Sequence, residues 1–359
     1  MGLRTWLGLK NPPPPSGQSK QKRLARNLDE SQVQPGFPID LVYTWVDGAD
    51  PEFLRQRQLY SGKKDIPLAS ASPERWRDHH ELRYSLRSVA AFSPWIRHVF
   101  LVTNGQRPNW LANHRKISVI THDQILDRKY LPTFNSHVIE SALHRIPGLS
   151  EHYIYLNDDI MFLRPMEPGD FFTGNGLVYG FLSGSSLPNS PPSPTDLPSV
   201  RAAKNAVSLI HRDFGVWLTR RFKHAAYPQR KSVCEDAERR YEREIEICRR
   251  NRFRQFDDIV FCTYLSLNFA YMSARGLLRR NRTMYVKIRE RGAIHSYRHM
   301  LRDKELNRAL DTVCLNDAED FGEVLPNYQE YLLDFLNSYF PEASAFEQKE
   351  NSVAERSAA

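Results

Sequence analysis

Three apolar, β-branched runs in the first half of the chain each stop at polar residues, with helix-like segments between them, and this alternation commits the chain to an α/β fold. Ile39 to Val46 stops at Asp47-Gly48, Trp95 to Thr103 at Asn104-Gly105, and Tyr155-Leu156 at Asn157-Asp158-Asp159, after which Ile160-Met161-Phe162 resumes. Lys116 to Ile120 is a further short strand. Asp78 to Phe92 places Leu82, Leu86, Val89 and Ala90 on one stripe with Asp78 suited to the N-cap, and Ser136 to Arg145 forms a second helix. The pattern predicts a mostly parallel sheet flanked by helices, followed by a helical second half. Ligands of such sheets sit beyond the carboxyl ends of the strands, where Asp47, Asn104 and Asp158 all fall, so the polar strand ends read as one crevice.

Composition narrows the partners. The chain has 359 residues, of which 41% are hydrophobic, enough for a large core. A net charge of +8 favours anionic partners such as nucleotide-sugars, acidic glycans, a lipid surface or nucleic acid. Cys234, Cys248, Cys262 and Cys314 form no CxxC pair, which argues against a zinc module and for buried thiols. No run of about 18 apolar residues occurs and the first ten residues lack the apolar core of a signal peptide, so the expected location is cytoplasmic, with peripheral contact at the inner face of a membrane.

Residues 1–36, with Asn11-Pro12-Pro13-Pro14-Pro15 and the basic run to Arg23, read as a flexible tail. Its Trp6 and Leu7 beside Arg4 and Lys10 suit a weak surface contact, although a plain disordered end needs no such role. Residues 37–346 read as one catalytic domain and 347–359 as a second disordered tail. The Pro/Ser-rich stretch at 183–200 reads as a lid, Ser232 to Arg252 as an exposed amphipathic helix, Asp257 to Ala270 as a core helix, and Pro326 to Tyr339 as the closing helix.

Asn157, Asp158 and Asp159 at the end of a buried strand suit a hard cation, since Mg²⁺ takes one or two carboxylates and leaves its other positions to water and phosphate oxygens. Taken alone, the same triplet also fits an ordinary turn.

Longer stretches carry a resemblance. Ile39 to Gly48, then Arg77 to Ser88, Val102 to Gln106, Leu131 to Ser136 and Tyr155 to Asp159 resemble the first two signature regions of the Stealth family, which includes bacterial capsular and exopolysaccharide phosphotransferases and the animal lysosomal-enzyme N-acetylglucosamine-1-phosphotransferase. Lys223 to Pro228 with Phe253 to Asp258 resembles its third region, and Val313 to Asp317 its fourth. The resemblance implies a Rossmann-like or GT-A-like nucleotide-sugar fold. It also implies a sugar-1-phosphate transferase in which an acceptor hydroxyl attacks the β-phosphorus of a UDP-sugar, releases UMP and leaves a phosphodiester. Such a reaction needs a cation, positive side chains on the phosphate and a base.

On this reading Asp158, Asp159 and Asn157 hold Mg²⁺ or Mn²⁺, Arg254 grips the transferred phosphate, His224 takes the proton and Asn316 bonds a phosphate or sugar oxygen. Asp78 and Glu81 join the catalytic set, while Asp47, Gly48, Asn104, Gly105 and Arg83 contact the nucleotide. Plainer roles compete: Asp78, His80 and Glu81 also suit a helix start, and Glu140 and His144 a surface pair, while Asp257 and Asp258 suit a cap, the positioning of Arg254 or a metal, and His295 and Arg298 a structural loop or a phosphate contact. The expected partners are a nucleotide-sugar donor and a glycan acceptor. Nucleic acid is disfavoured, because the basic residues are not interleaved with exposed aromatics. An ordinary glycosyltransferase releasing UDP is the alternative within the same site chemistry.

Overall fold

The computed structural model describes residues 33–62, 78–317 and 324–348. The basic stretch at 1–32, including Trp6 and Leu7, and the chain from 349 onward lie outside the described residues.

The order of elements is β1 (Ile39–Thr44), α1 (Pro51–Ser61), α2 (Glu81–Phe92), β2 (Val99–Thr103), β3 (Ile117–Thr121), α3 (Ser136–Glu140), β4 (His152–Asn157) and β5 (Ile160–Phe162). The second half continues with β6 (Val178–Ser186), α4 (Pro198–Phe214), β7 (Arg220–Phe222), β8 (Tyr227–Arg230), α5 (Lys231–Arg240), α6 (Glu242–Arg249) and α7 (Ser266–Met272). It closes with β9 (Gly276–Arg279), β10 (Thr283–Lys287), α8 (Gly292–Glu305), β11 (Thr312–Asn316) and α9 (Tyr328–Tyr339).

The main sheet runs β3-β2-β1-β4-β8, its first four strands parallel and β8 antiparallel to β4. Both faces are covered, so Leu41, Val42 and Tyr43 of β1 are wholly buried and pack in one core with Leu82, Leu86 and Val89 of α2. Each such side chain contributes about 1.5–3 kcal/mol of burial free energy. Because β2 and β4 lie on opposite sides of β1, the order of strands reverses there, and Thr44 pairs with Asn157 so that β1 and β4 end level. A crevice at such a reversal is where open α/β sheets take ligands.

The second half is less helical than the sequence suggests. It supplies a sheet β10-β11-β5 and another β7-β6-β9, whose short strands of three to nine residues carry little periodic signal. The first of these covers a second core, where Val286, Val313 and Leu315 meet Leu332, Phe335 and Leu336 of α9.

Several boundaries move. The helix expected from Asp78 begins at Glu81, because His80 adopts a left-handed backbone with φ of 68°. The helix expected to Arg145 ends at Glu140 and gives way to a tighter turn over Leu143–Arg145. The long charged helix breaks at Tyr241 into α5 and α6, and the core helix opens with a wide turn over Phe261–Leu265. The stretch expected as a lid is divided between β6, α4 and a short strap, whose Asp196 and Ser190 are held by the buried Nζ of Lys204 at 2.9 and 3.0 Å. Glu347, expected to open a frayed tail, is buried against Arg83 and Arg87 and belongs to the fold.

Candidate active site

The parallel strands deliver their polar ends to one edge. After β1, the Asp47 backbone N–H donates to Gln106 Oε1 at 2.8 Å, and Gln106 Nε2 donates back to the Asp47 carbonyl at 3.1 Å, which ties the Asp47-Gly48 turn to the loop after β2. That loop needs Gly105, whose φ of 107° is left-handed, and it leaves Asn104 exposed. Asp78 accepts from the His80 N–H at 2.8 Å, and Glu81 accepts from the His79 N–H at 2.6 Å. The left-handed turn thereby swings both carboxyls toward the end of β4.

Four acids meet there. Burial, then Asp159 and Asp78, push the Asp158 carboxyl up to about 8. Burial, then Asp158 and Asp78, hold Glu81 well above the carboxylate range, and burial also raises Asp78, with Asp47 adding to it. Asp159 is raised by burial, against the charge of His224 and hydrogen bonds from Cys314 Sγ and Asn316 Nδ2, each at 3.3 Å. Its other oxygen, Oδ1, is buried without a hydrogen-bond partner.

The second sheet brings the remaining groups. β11 runs antiparallel to β5 and its Leu315 N–H bonds the Asp159 carbonyl at 2.9 Å, which sets Asn316 beside that acid. Asn316 Oδ1 accepts from the Tyr285 hydroxyl at 2.6 Å. The Tyr285 ring lies 5.4 Å from the ring of His224, which precedes β8 and is exposed to solvent on one side. Burial of its other side lowers the His224 pKa, Asp159 opposes that, and Arg221 reinforces it. The Arg221 Nε is itself buried with no acceptor among the described residues.

Arg254 sits at the flank of the same strand ends. Its Nη2 donates to Ser136 Oγ at 2.9 Å, and burial lowers its pKa against the charges of Glu140, Asp258 and Tyr155. Burial pushes Glu140 up to about 7, with Arg254 and Tyr155 pulling the other way, and its Oε2 has no partner. The Tyr155 hydroxyl reaches Thr44 Oγ1 at 3.1 Å, linking this pair to the end of β1.

The structure therefore brings together Asp47, Asp78, Glu81, Asn157, Asp158, Asp159, His224 and Asn316, with Arg254 alongside. Arg83 is different, because its Nε is paired with Glu347. Asp258 is structural: Asn135 and His137 bond its Oδ2 at 2.9 and 3.1 Å, and Asn251 bonds its Oδ1 at 2.9 Å. His144 pairs with Glu238 at 2.6 Å instead of with Glu140. Tyr285 and Arg221 escaped the sequence reading, since a lone tyrosine on a short strand and one arginine of a pair carry no motif, and Glu140 was read only as a surface partner of His144.

Among the described residues no three His, Cys, Asp or Glu side chains stand ready as a closed metal site. The residues nevertheless fit a divalent cation, because Asp159 Oδ1 is buried without a hydrogen-bond partner and Asp158 lies in the field of both Asp159 and Asp78. A hard cation held by two carboxylates, with water and phosphate completing its shell, needs no third protein acid.

Comparison with known proteins matches residues 37–65 to Stealth protein conserved region 1, residues 75–179 to conserved region 2, and residues 304–358 to conserved region 4. The segment with His224 and Arg254 lies outside these three matches. An exopolysaccharide phosphotransferase of Streptomyces coelicolor is 41% identical over 88% of this chain and 53% of its own length, so the chain spans about half of that relative. Capsular polysaccharide phosphotransferases of Aeromonas hydrophila and Actinobacillus suis are each 36% identical, covering 87% and 84% of this chain and 87% and 82% of theirs.

Proposed function

The chain belongs to the Stealth family, and from that premise we propose that it is a capsular or exopolysaccharide phosphotransferase that moves a hexose-1-phosphate from a UDP-sugar to a glycan hydroxyl. The sugar is most simply an N-acetylhexosamine. The observation that carries the reading is the meeting of clustered acids, His224 and Asn316 at the reversal point of a parallel sheet. The strand order β3-β2-β1-β4 supports a Rossmann-like nucleotide-sugar fold, with the nucleotide over Asp47-Gly48 and Asn104-Gly105.

The acceptor oxygen forms a bond to the β-phosphorus while the bond to the bridging oxygen breaks, and UMP leaves. His224 takes the hydroxyl proton: burial keeps its imidazole neutral beforehand, and the Asp159 charge favours the imidazolium afterwards. Arg254 offers a guanidinium fork to the transferred phosphate, and Glu140 and Ser136 hold that fork in place. Asn316 has its carbonyl occupied by Tyr285, which directs its NH₂ toward Asp159 and the phosphate. Asp158 and Asp159, with Asn157 beside them, would hold Mg²⁺ or Mn²⁺, which would supply charge neutralisation on the phosphates.

The identity of the released nucleotide tests the reading. UMP fits phosphotransfer, whereas UDP assigns the site to ordinary glycosyl transfer.

A further inference from the structure

Arg221 is a cation at the site that the mechanism above leaves unused. Its Nε is buried without an acceptor, and none of its nitrogens meets a carboxylate or a carbonyl among the described residues. A buried N–H that neither protein nor water satisfies is destabilising, so the fold holds this donor open at a cost in stability.

The short strand β7 fixes its place. The Leu187 N–H bonds the Thr219 carbonyl at 2.6 Å and the Lys223 N–H bonds the Phe181 carbonyl at 2.8 Å, so Arg220–Phe222 is held against β6 from both ends. Phe222, the residue after Arg221, is buried edge-on to Tyr264 with ring centroids 5.7 Å apart. Burial pushes the Tyr264 hydroxyl up to about 12 against the charge of Arg221, which also acts on His224 three positions further on. Burial, then Cys314, Glu140, Asp159 and Tyr264, raise the hydroxyl of the neighbouring Tyr227. Glu140 is in turn the neighbour of Arg254. Arg221 and Arg254 thus border one polar region around Tyr227 and Asp159, the first through Tyr264 and the second through Glu140.

We propose that Arg221 is a further catalytic residue, a second guanidinium that grips the transferred phosphoryl group of the donor alongside Arg254. The proposal rests on the phosphotransferase reading above. Charge spreads over three equatorial oxygens as the phosphoryl group passes from the bridging oxygen to the acceptor, and one guanidinium fork covers two of them. An arginine beside the base reaches the third. Arg221 moves no proton and forms no bond to phosphorus; it neutralises the group that the acceptor oxygen attacks.

The test compares the full chain with Arg221→Met, which keeps the aliphatic stem, and with Arg221→Lys, which keeps the charge. Calorimetry with UDP and with UMP, both in Mg²⁺, reads the contact without turnover, because only UDP carries the phosphate that corresponds to the transferred group. Arg221→Met is expected to lose roughly tenfold or more of the preference for UDP over UMP, while UMP affinity holds. Its kcat with a UDP-sugar falls about 100-fold or more, and Arg221→Lys recovers part of both losses. The melting temperature of Arg221→Met without nucleotide equals or exceeds that of the wild type, because the variant leaves no buried donor unsatisfied. Equal preference for UDP in wild type and Arg221→Met overturns the proposal, as does a lowered melting temperature with equal losses of UDP and UMP affinity, which makes the residue structural. An Arg221-dependent preference for UDP in a chain that transfers no sugar phosphate supports the contact and sinks only the catalytic reading.

Discussion

Asn316 donates from Nδ2 to Asp159 Oδ2 at 3.3 Å, joining residues 157 positions apart in the sequence. The last strand of the fold therefore orients an acid that the first half supplies, and leaves Oδ1 of Asp159 buried without a hydrogen-bond partner.

Removing that amide should loosen the metal more than the fold. Asn316→Ala is expected to raise the Mg²⁺ or Mn²⁺ needed for half-maximal turnover by about 10–100-fold, as loss of outer partners of metal ligands does. Tyr285→Phe removes only the 2.6 Å hydrogen bond that orients the amide, a loss of about 1 kcal/mol and so roughly fivefold. Metal titrations of turnover read both, and an unchanged requirement in Asn316→Ala removes it from the site.

The acidic cluster predicts a trade of stability for function. Asp159→Asn relieves repulsion on Asp158, so in chelator its melting temperature should equal or exceed that of the wild type. Divalent cations should raise the melting temperature of the wild type and leave the variant unmoved. A variant that still responds to metal places the cation elsewhere.

Glu140 gives a pH signature. Its carboxyl is raised from 4.5 to about 7, so between those values the folded state keeps a proton that the unfolded chain has lost. Stability from this group therefore declines as pH rises across that window, and Glu140→Gln should flatten the decline in urea midpoints taken from pH 5 to 8. The same substitution should also lower kcat if Glu140 holds Arg254, with donor KM rising less.

Glu347 acts in the opposite direction at lower pH. Burial opposes its ionisation, but hydrogen bonds from Arg87, Ser344 and Arg83 hold it down at about 2, so its contribution is full above its ordinary 4.5 and is lost as pH falls toward about 2. Glu347→Ala should cost about 3 kcal/mol by removing the carboxylate that meets the buried Arg87 and the partly exposed Arg83. Denaturant melts at pH 7 measure this, and a cost near zero means the last segment is dispensable.

The parallel half of the fold was legible because its strands are buried on both faces and stop at polar residues, so Asp47, Asn104 and Asp158 could be set at one edge from sequence alone. The second sheet was not, because Thr283–Lys287 and Thr312–Asn316 each have five residues, and what pairs β11 with β5 is a contact across some 150 positions. The same blindness hid Tyr285, which matters only through Asn316 and His224. The pairing of Arg83 Nε with Glu347 was equally hidden, because its carboxylate partner lies 264 positions away in a segment read as tail.

The most direct measurement incubates the full chain with Mg²⁺, a panel of UDP-sugars and short glycan acceptors, and follows the released nucleotide together with the phosphorus NMR spectrum of the glycan. The account predicts UMP and a new phosphodiester resonance. UDP with no phosphorus in the glycan would contradict it, and the roles given to His224 and Arg254 would fall with it.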